Sequence, residues 1–279
     1  MIGIFDSGYG GLTIFKEIEK LLPEYDYVYL GDSARAPYGG RSKEAVTRFS
    51  REAVDFLFKK GCSLIVFACY SASAMALREI QQKYLPTLRS DSDDKKRNVL
   101  GVIRPVVEYA ATRSKKQKIG VVGTRGTIMS GAFEVELKER NPKLRVVSRA
   151  CPLLVPLIEE HKHRTPEARA ILHEYVAPLK KAGVDTLILG CTHYPHMLTD
   201  FQREMGKGVE IFNPGKIVAK SLKNYLTRHP ELEPEMAKKT SKKQNGSCTF
   251  FTTDDIVRFK EFGEKFAGIK IGNVKKINL

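Results

Sequence analysis

The chain has 279 residues, 42% of them hydrophobic, which is enough for two domains with a core each, and no apolar run is long enough to span a membrane. Five cysteines without CxxC spacing, and a start that lacks a secretion signal, argue against a disulfide framework or a structural zinc site and favour a cytosolic protein with reduced thiols. The formal charge of +15 is scattered or lies in runs such as Lys238, Lys239, Lys242 and Lys243, and no nucleic-acid-binding module accompanies it, so it predicts a solvated basic surface.

Two strands and their loops open the predicted first half. Ile2–Phe5 reads as a buried strand, and the turn DSGYGG leads into an amphipathic helix that Pro23 ends. This order offers backbone N–H groups and a positive helix end to an anion, and because the spacing is not GxGxxG, a small carboxylate fits better than a dinucleotide. Asp26–Leu30 is the second strand. The loop GDSARAPYGGRS after it either turns the chain or lines a cleft.

A cysteine closes the third predicted strand. Ser42 is placed to cap a helix that Gly61 ends, and the segment KGCSLIVFACYSAS then gives a strand, Cys69 and the start of another helix. Ser71 is placed to cap that helix. The polar, aperiodic segment 87–98 predicts a linker between two halves.

The second half continues the alternation of strands and helices. Strands are predicted at 99–103, 118–123, 144–148 and 209–212, and helices at 105–114, 127–140, 166–182 and 214–226. The segment AGVDTLILGCTHYP adds a strand that ends at Cys191. Beyond it, 227–247 predicts a mobile excursion, followed by a strand at 248–252, a helix at 254–267 and a strand at 269–274. We expect Cys248 to be a core residue.

An internal repeat is the strongest signal in the chain. The segment around Cys69 matches the segment around Cys191, and Ile2–Ser7 resembles Ile119–Thr124. The repeat predicts two pseudo-symmetric α/β domains with mainly parallel sheets, residues 1–97 plus 213–279 and residues 98–212. Ligands of open α/β sheets bind at the carboxyl ends of strands. We therefore expect the active site in the cleft between the domains.

Two thiols on opposite sides of one carbon suit the removal of a proton from one face and its return to the other. Each cysteine precedes a predicted helix, whose dipole favours a thiolate. His193 is close enough in sequence to deprotonate Cys191 or stabilise its thiolate, and Asp6 can act as a proton acceptor near Cys69. Hydroxyls for a substrate's carboxylate and ammonium come from Ser7, Ser71 and Thr192. No lysine is singled out for a pyridoxal cofactor.

The residue types leave several interpretations open. A cysteine that ends a buried strand is often a small core residue, His193 can cap a helix, and Ser7 and Ser71 can be helix caps alone. A metal site at Cys191 and His193 lacks further ligands at suitable spacing. The cysteine pair also fits a redox dithiol, and the basic surface fits a non-catalytic protein that binds an amino acid or a protein partner.

Six segments in this order resemble the glutamate racemases of the aspartate/glutamate racemase superfamily. They are IGIFDSGYGGLT, GDSARAPYG, FACYSAS, IGVVGTRGT, ACPLLVPLIEE and DTLILGCTHYP, and the later FFTTDD is similar as well. The resemblance implies a cytosolic, cofactor-independent interconversion of L- and D-glutamate that supplies D-glutamate for peptidoglycan. Its partner is a small amino acid, with no membrane or nucleic acid. The oligomeric state is left open, a homodimer included.

The resemblance also implies roles for single residues. Cys69 and Cys191 match the acid/base thiols, Asp6 and His193 match their assistants, and either Glu159 or Glu160 matches a further acid near the second thiol. The family's substrate-binding positions fall on Ser7, Tyr38, Gly39, Tyr70, Ser71 and Thr192.

This chain departs from the family at two places. Tyr70 and Ser71 stand where the family usually has Asn-Thr, and the family's acidic residue near Asn213 is missing. Serine keeps the hydroxyl of threonine, whereas tyrosine replaces a compact amide with a bulky phenol. Tyr70 therefore either supplies its own hydrogen bond to the substrate or reshapes the pocket. The second case leaves a racemase for aspartate or another small amino acid as the alternative.

Overall fold

The computed structural model describes residues 1–88, 97–235 and 246–279. Its strands form two sheets, and every pairing between the described strands is parallel. In chain order the strands are β1 Ile2–Asp6, β2 Tyr27–Gly31, β3 Leu64–Phe67, β4 Asn98–Gly101, β5 Lys118–Gly123, β6 Arg145–Ala150, β7 Thr186–Gly190, β8 Glu210–Ile211, β9 Cys248–Thr252 and β10 Val274–Lys276.

Helices make most of the connections between these strands. They are α1 Leu12–Leu21, α2 Lys43–Lys59, α3 Tyr70–Met75, α4 Leu77–Glu79, α5 Leu85–Thr87, α6 Ile103–Arg113, α7 Arg125–Met129, α8 Ala132–Arg140, α9 Leu154–Glu159, α10 Pro166–Lys181, α11 Leu198–Met205, α12 Pro214–Arg228 and α13 Ile256–Ala267. Shorter turns are the 3-10 segments Ser33–Arg35, Tyr38–Gly40, Tyr194–Met197 and Pro230–Glu235 and the π-helical segment Ile80–Tyr84. Among the described helices, none is both long and apolar enough to cross a membrane.

The two sheets share one strand order. The larger sheet runs β10-β9-β2-β1-β3-β4 and the smaller runs β6-β5-β7-β8. The order β2-β1-β3-β4 therefore repeats as β6-β5-β7-β8, which confirms the two pseudo-symmetric α/β halves that the sequence repeat predicts. The two cysteine strands, β3 and β7, hold equivalent places beside the first strand of each half.

Each cysteine strand is entered in the same way. Ser42 caps α2 by accepting a hydrogen bond from a backbone N–H, and Thr165 caps α10 in the same manner. After these helices the chain turns at Gly61, with φ of +85°, and at Gly183, with φ of +70°. A left-handed backbone is easy only for glycine, so these two positions fix where each helix stops and each strand starts.

The core has three layers of apolar side chains. One buried cluster lies between the sheets and takes residues from both, such as Ile4 and Val66 from the larger sheet and Val121 and Ile188 from the smaller. The helices α1, α6 and α12 contribute to it. Two further clusters cover the outer faces, one under α2 and one under α10 and α11. The halves therefore share a core and do not merely touch at their surfaces.

The sheet membership of β4 differs from the sequence prediction. The predicted boundary at residue 98 places this strand in the second half, yet β4 pairs with β3 in the larger sheet. The tail does return to that sheet, since β9 pairs with β2 and β10 with β9. The division into domains stays a prediction, with its first boundary better drawn after residue 101.

Three local predictions are wrong. The helix expected at 127–140 is broken at Gly131 into α7 and α8, and the last strand covers Val274–Lys276 in place of 269–274. The expected excursion after residue 227 begins instead as the end of α12 and a 3-10 turn. Most of the predicted linker at 87–98, and the lysine run at 238–243, lie outside the described residues.

Candidate active site

The first thiol begins a helix. The backbone N–H of Ala72 donates to Cys69 Sγ over 3.4 Å, and the thiol donates to Ser7 Oγ over the same distance. Burial away from water, with the nearby charge of Asp6, raises the pKa of Cys69 to about 12. At neutral pH this group is therefore a thiol. The prediction that Ser71 caps the helix is wrong, because Cys69 holds that position.

Asp6 ends β1 beneath the glycine turn. The backbone N–H of Gly8 donates to Asp6 Oδ2 over 2.9 Å, while Asp6 Oδ1 has no hydrogen-bond partner within the described ranges. Burial raises the pKa of Asp6, against the opposing effects of the backbone N–H of Gly11 and the charge of His193. A carboxyl group with a raised pKa and one uncommitted oxygen can accept a proton from a neighbouring group.

The glycine turn DSGYGG packs against the second half of the protein. A side chain at Gly10 would overlap Thr192 Oγ1 and the ring of His193, so only glycine lets the turn approach this closely. Thr13, in the first turn of α1, donates to the backbone oxygen of Thr192 over 3.2 Å. The segment DSGYGG therefore forms one side of the junction between the halves.

The second thiol has a different set of partners. His193 Nδ1 lies 3.8 Å from Cys191 Sγ, and His193 Nε2 lies 2.9 Å from Glu159 Oε1. Burial alone would lower the pKa of His193, but the contacts with Cys191 and Glu159 outweigh it and raise that pKa to about 10. The imidazole is therefore cationic at neutral pH and suited to pair with a thiolate.

The geometry around His193 bears on two expectations from the sequence. Glu159 contacts His193, whereas Glu160 is exposed, so Glu159 is the acid next to the imidazole that contacts Cys191. The expected helix start beside Cys191 is a 3-10 turn, Tyr194–Met197, and α11 begins only at Leu198. His193, and not a helix dipole, is the positive group next to this sulfur.

Three hydroxyls join the halves on the other side of the cleft. Ser71 Oγ lies 3.0 Å from Thr124 Oγ1 and 3.2 Å from Thr127 Oγ1, and the two threonine oxygens are 3.0 Å apart. Thr124 also caps α7. The sequence did not single out these threonines as site residues. The signal for Thr124 was present in the repeat, which aligns it with Ser7.

The loop after β2 closes against this hydroxyl cluster. A side chain at Gly39 would overlap Thr124, so the loop lines the cleft and does not simply turn the chain. The Tyr38 hydroxyl donates to the buried carboxylate of Asp32, which also accepts from Arg35 and Thr253. The Tyr38 oxygen is thus engaged within the loop and its neighbours. Its ring packs against Phe5 and Phe49.

Tyr70 brings to this site a buried hydroxyl group without a hydrogen-bond partner in the described ranges. Its ring stacks on Phe133 of α8, with centroids 5.9 Å apart. Its hydroxyl has no hydrogen-bond partner among the residues that the structure describes. Burial and the nearby charge of Cys191 raise the pKa of Tyr70, so the phenol stays neutral and can donate. An unpaired buried hydroxyl costs about 1–3 kcal/mol, which a bound acceptor would relieve.

The site is closed. Cys69 is 5% exposed and Cys191 is 6% exposed, and Tyr38, Tyr70, Ser71, Thr192 and His193 are buried as well. Each sulfur packs on the outer apolar cluster of its own sheet. The charge of Cys191 makes a minor contribution to the raised pKa of Cys69. Within the described ranges, no three His, Cys, Asp or Glu side chains are grouped to hold a metal ion.

The chain is similar to several characterised sequences and structures. The family model described as Asp/Glu/Hydantoin racemase matches residues 2–222. A glutamate racemase of Geobacter metallireducens is 41% identical over 278 residues, covering 100% of this chain and 96% of the relative. A crystal structure of a glutamate racemase isoform from Bacillus anthracis superposes with a TM-score of 0.87 at 35% identity, over 100% of this chain and 97% of that one. The glutamate racemase of Francisella tularensis in complex with D-glutamate gives 0.86 at 29% identity, over 99% and 97%.

Proposed function

Because the chain belongs to the Asp/Glu/hydantoin racemase family, we propose that it interconverts L- and D-glutamate by proton transfer between Cys69 and Cys191. The observation that carries this proposal is the equivalent placement of the two thiols, each after the same strand of its own half and each with a polar neighbour, Ser7 beside Cys69 and His193 beside Cys191. The names of the similar proteins support glutamate as the substrate.

The two thiols have different neighbours, and the proposed reaction gives them different roles. The cationic imidazole of His193 lies 3.8 Å from Cys191 Sγ, while the raised pKa of Cys69 keeps the proton on that sulfur. In one direction Cys191 removes the α-proton from one face of the amino acid. Cys69 then delivers its own proton to the opposite face of the carbanion. One proton leaves carbon for sulfur and one leaves sulfur for carbon, so the enzyme emerges with the roles of its thiols exchanged.

The return direction needs a base at Cys69. Asp6 is the acceptor that the site offers for that proton, since one of its carboxylate oxygens is uncommitted within the described chain. The substrate's ammonium adds a positive charge next to the sulfur, which opposes the effect of burial on the pKa of Cys69. His193, held by Glu159, supplies the proton that Cys191 then carries.

The substrate's polar groups face a set of hydroxyls and backbone groups. Ser7, Ser71 and Thr192 are the hydroxyl residues of the proposed site, Gly39 contributes backbone, and Tyr38 contributes its ring, because its oxygen is bonded to Asp32. Tyr70 offers the uncommitted hydroxyl and is proposed to donate to a substrate carboxylate. These contacts stabilise the carbanion without a pyridoxal cofactor.

With this reaction, we propose that the protein acts in the cytoplasm and contributes to cell-wall biogenesis. D-Glutamate made by such an enzyme supplies peptidoglycan synthesis, and through it cell shape. This role follows from the proposed substrate and falls with it.

Isotope exchange tests the reaction directly. We expect incubation with L-glutamate in deuterated water to give loss of optical rotation together with deuterium at Cα. A double variant, Cys69→Ser with Cys191→Ser, is the control. With this variant the optical rotation should stay constant and no deuterium should appear at Cα. Full turnover in the double variant, or no exchange in the wild type with any amino acid, would contradict the proposal.

Tyr70 favours one second candidate, a racemase for aspartate or another small amino acid. Its ring fills space beside the thiols and is fully enclosed. The same exchange assay over a panel of amino acids decides between the candidates. A kcat/KM for aspartate above that for glutamate would replace the first proposal with the second.

A further inference from the structure

The C-terminal helix α13 lies across the junction of the two halves. Its Phe262 ring packs on Tyr9 of the glycine turn, with centroids 4.7 Å apart, and on Phe266 at the same distance. Phe266 in turn packs on His196, at 3.6 Å, and on His193, at 5.3 Å. A row of aromatic rings therefore runs from the first half, along α13, to the imidazole beside the second thiol.

Phe266 is held in a fixed position by the end of its helix. Lys16 Nζ donates to the backbone oxygen of Ala267 over 2.9 Å, which ties the last turn of α13 to α1. Gly268 then leaves the helix with φ of +62°. At the other end, Asp255 caps the helix by accepting from the backbone N–H of Arg258. Both ends of the helix that carries Phe266 are therefore fixed by hydrogen bonds.

The His193 ring depends on packing as well as hydrogen bonds. Its two nitrogens face Cys191 and Glu159, and Phe266 packs against the ring at an interplanar angle of 57°. The Phe266 ring also shields the imidazole from water, and such burial by itself lowers the pKa of His193. The other ionisable groups near His193 are Asp6 from β1 and His196 from its own turn. Burial lowers the pKa of His196 to about 4, so it stays neutral.

We propose that Phe266 is a positioning residue for His193, so that α13 belongs to the acid/base apparatus of the second thiol. This inference rests on the proposed function for its kinetic consequence. Its structural consequence, the orientation and charge of the imidazole, holds for any reaction at this site.

The test compares two aromatic residues of the same helix. Phe266→Leu removes the ring that contacts His193, while Phe259→Leu removes a fully buried ring that packs on Tyr9, Tyr29 and Phe250. We expect Phe266→Leu to lower kcat about tenfold with KM changed less than about twofold. We expect Phe259→Leu to leave the pH profile of kcat/KM unchanged, whatever it does to stability.

Titration of His193 by NMR gives a readout that does not depend on turnover. The imidazole signal, assigned with His193→Gln, should titrate at a different pH in Phe266→Leu from that in the wild type, because loss of the ring changes both the burial of the imidazole and its contacts with Cys191 and Glu159. Phe266→Tyr keeps the ring and should titrate as the wild type does. It also serves as the folding control if Phe266→Leu is unstable.

Equal titration in the wild type and Phe266→Leu would overturn the inference, as would a shift in Phe266→Tyr or Phe259→Leu as large as that in Phe266→Leu. A wild type that exchanges no amino acid would remove the proposed function. The titration would still decide the role of Phe266, so the two failures are distinguishable.

Discussion

The surroundings of the two thiols differ although their positions in the fold are equivalent. Cys69 has a buried acid, a serine hydroxyl and a backbone N–H beside it, whereas Cys191 has a cationic imidazole backed by a carboxylate. Topology places the two cysteines at equivalent strand ends, and the proposed mechanism uses the different neighbouring side chains to make one thiol a proton donor and the other a proton acceptor. The repeated fold therefore places one thiol in each half, while a few differing residues around the two thiols give them different chemical surroundings.

Replacing each thiol in turn gives the largest expected effect. Cys69→Ser and Cys191→Ser should each lower kcat by at least about 10³-fold, since a hydroxyl cannot act as the base and both faces need a transfer group. Racemisation is followed by polarimetry, with circular dichroism to confirm folding. One variant with nearly normal turnover would mean that only one half carries the chemistry.

Alkylation compares the protonation states directly. At neutral pH we expect iodoacetamide to modify Cys191 about tenfold faster than Cys69. The thiolate is the nucleophile, burial raises the pKa of Cys69, His193 lies beside Cys191, and the two cysteines are almost equally exposed. Peptide mapping by mass spectrometry over time measures the ratio. In His193→Gln the ratio should fall toward one. A faster reaction at Cys69 would reverse the assignment of donor and acceptor.

Two adjacent acids allow a matched test of the support for His193. Glu159→Gln should lower kcat/KM about tenfold, and Glu160→Gln should change it less than about twofold, because only Glu159 contacts the imidazole. Loss of the carboxylate lowers the pKa of His193, so the alkaline limb of the pH profile should move to lower pH. Equal effects of the two variants would remove Glu159 from the mechanism.

The hydroxyl cluster gives the smallest expected effect. Thr127→Val removes one of three mutually bonded oxygens and should raise KM about threefold with little change in kcat. Thr127→Ser keeps the oxygen and should restore the wild-type value. A fall in kcat with unchanged KM would place this cluster in the chemical step and not in binding.

Much of this comparison could be predicted from the sequence because it depends on local patterns. A glycine, an apolar run and a cysteine recur in both halves. This repeated pattern alone predicts where each of the two strands ends and that a cysteine follows it. The helix caps Ser42 and Thr165 show how short-range hydrogen bonds fix such boundaries.

Contacts between distant segments could not be predicted in the same way. Whether Glu159 or Glu160 faces His193 depends on the angle at which α9 packs, and Phe266 reaches the same ring from the far end of the chain. Ser71 was expected as a cap because serine favours that position, but Cys69 precedes it at the strand end and holds the place. The pairing of β4 with β3 is likewise a long-range choice that no local pattern encodes.

The closed site has a consequence for the rate of turnover. Cys69 and Cys191 are only 5% and 6% exposed, and the glycine turn packs so closely on Thr192 and His193 that no side chain fits at Gly10. Because both cysteines are almost fully buried, we expect the halves to move apart in each catalytic cycle before the substrate enters and after the product forms. The rate of this opening then sets the upper limit of kcat, and a more viscous medium should lower kcat even when the proton transfers are unaffected.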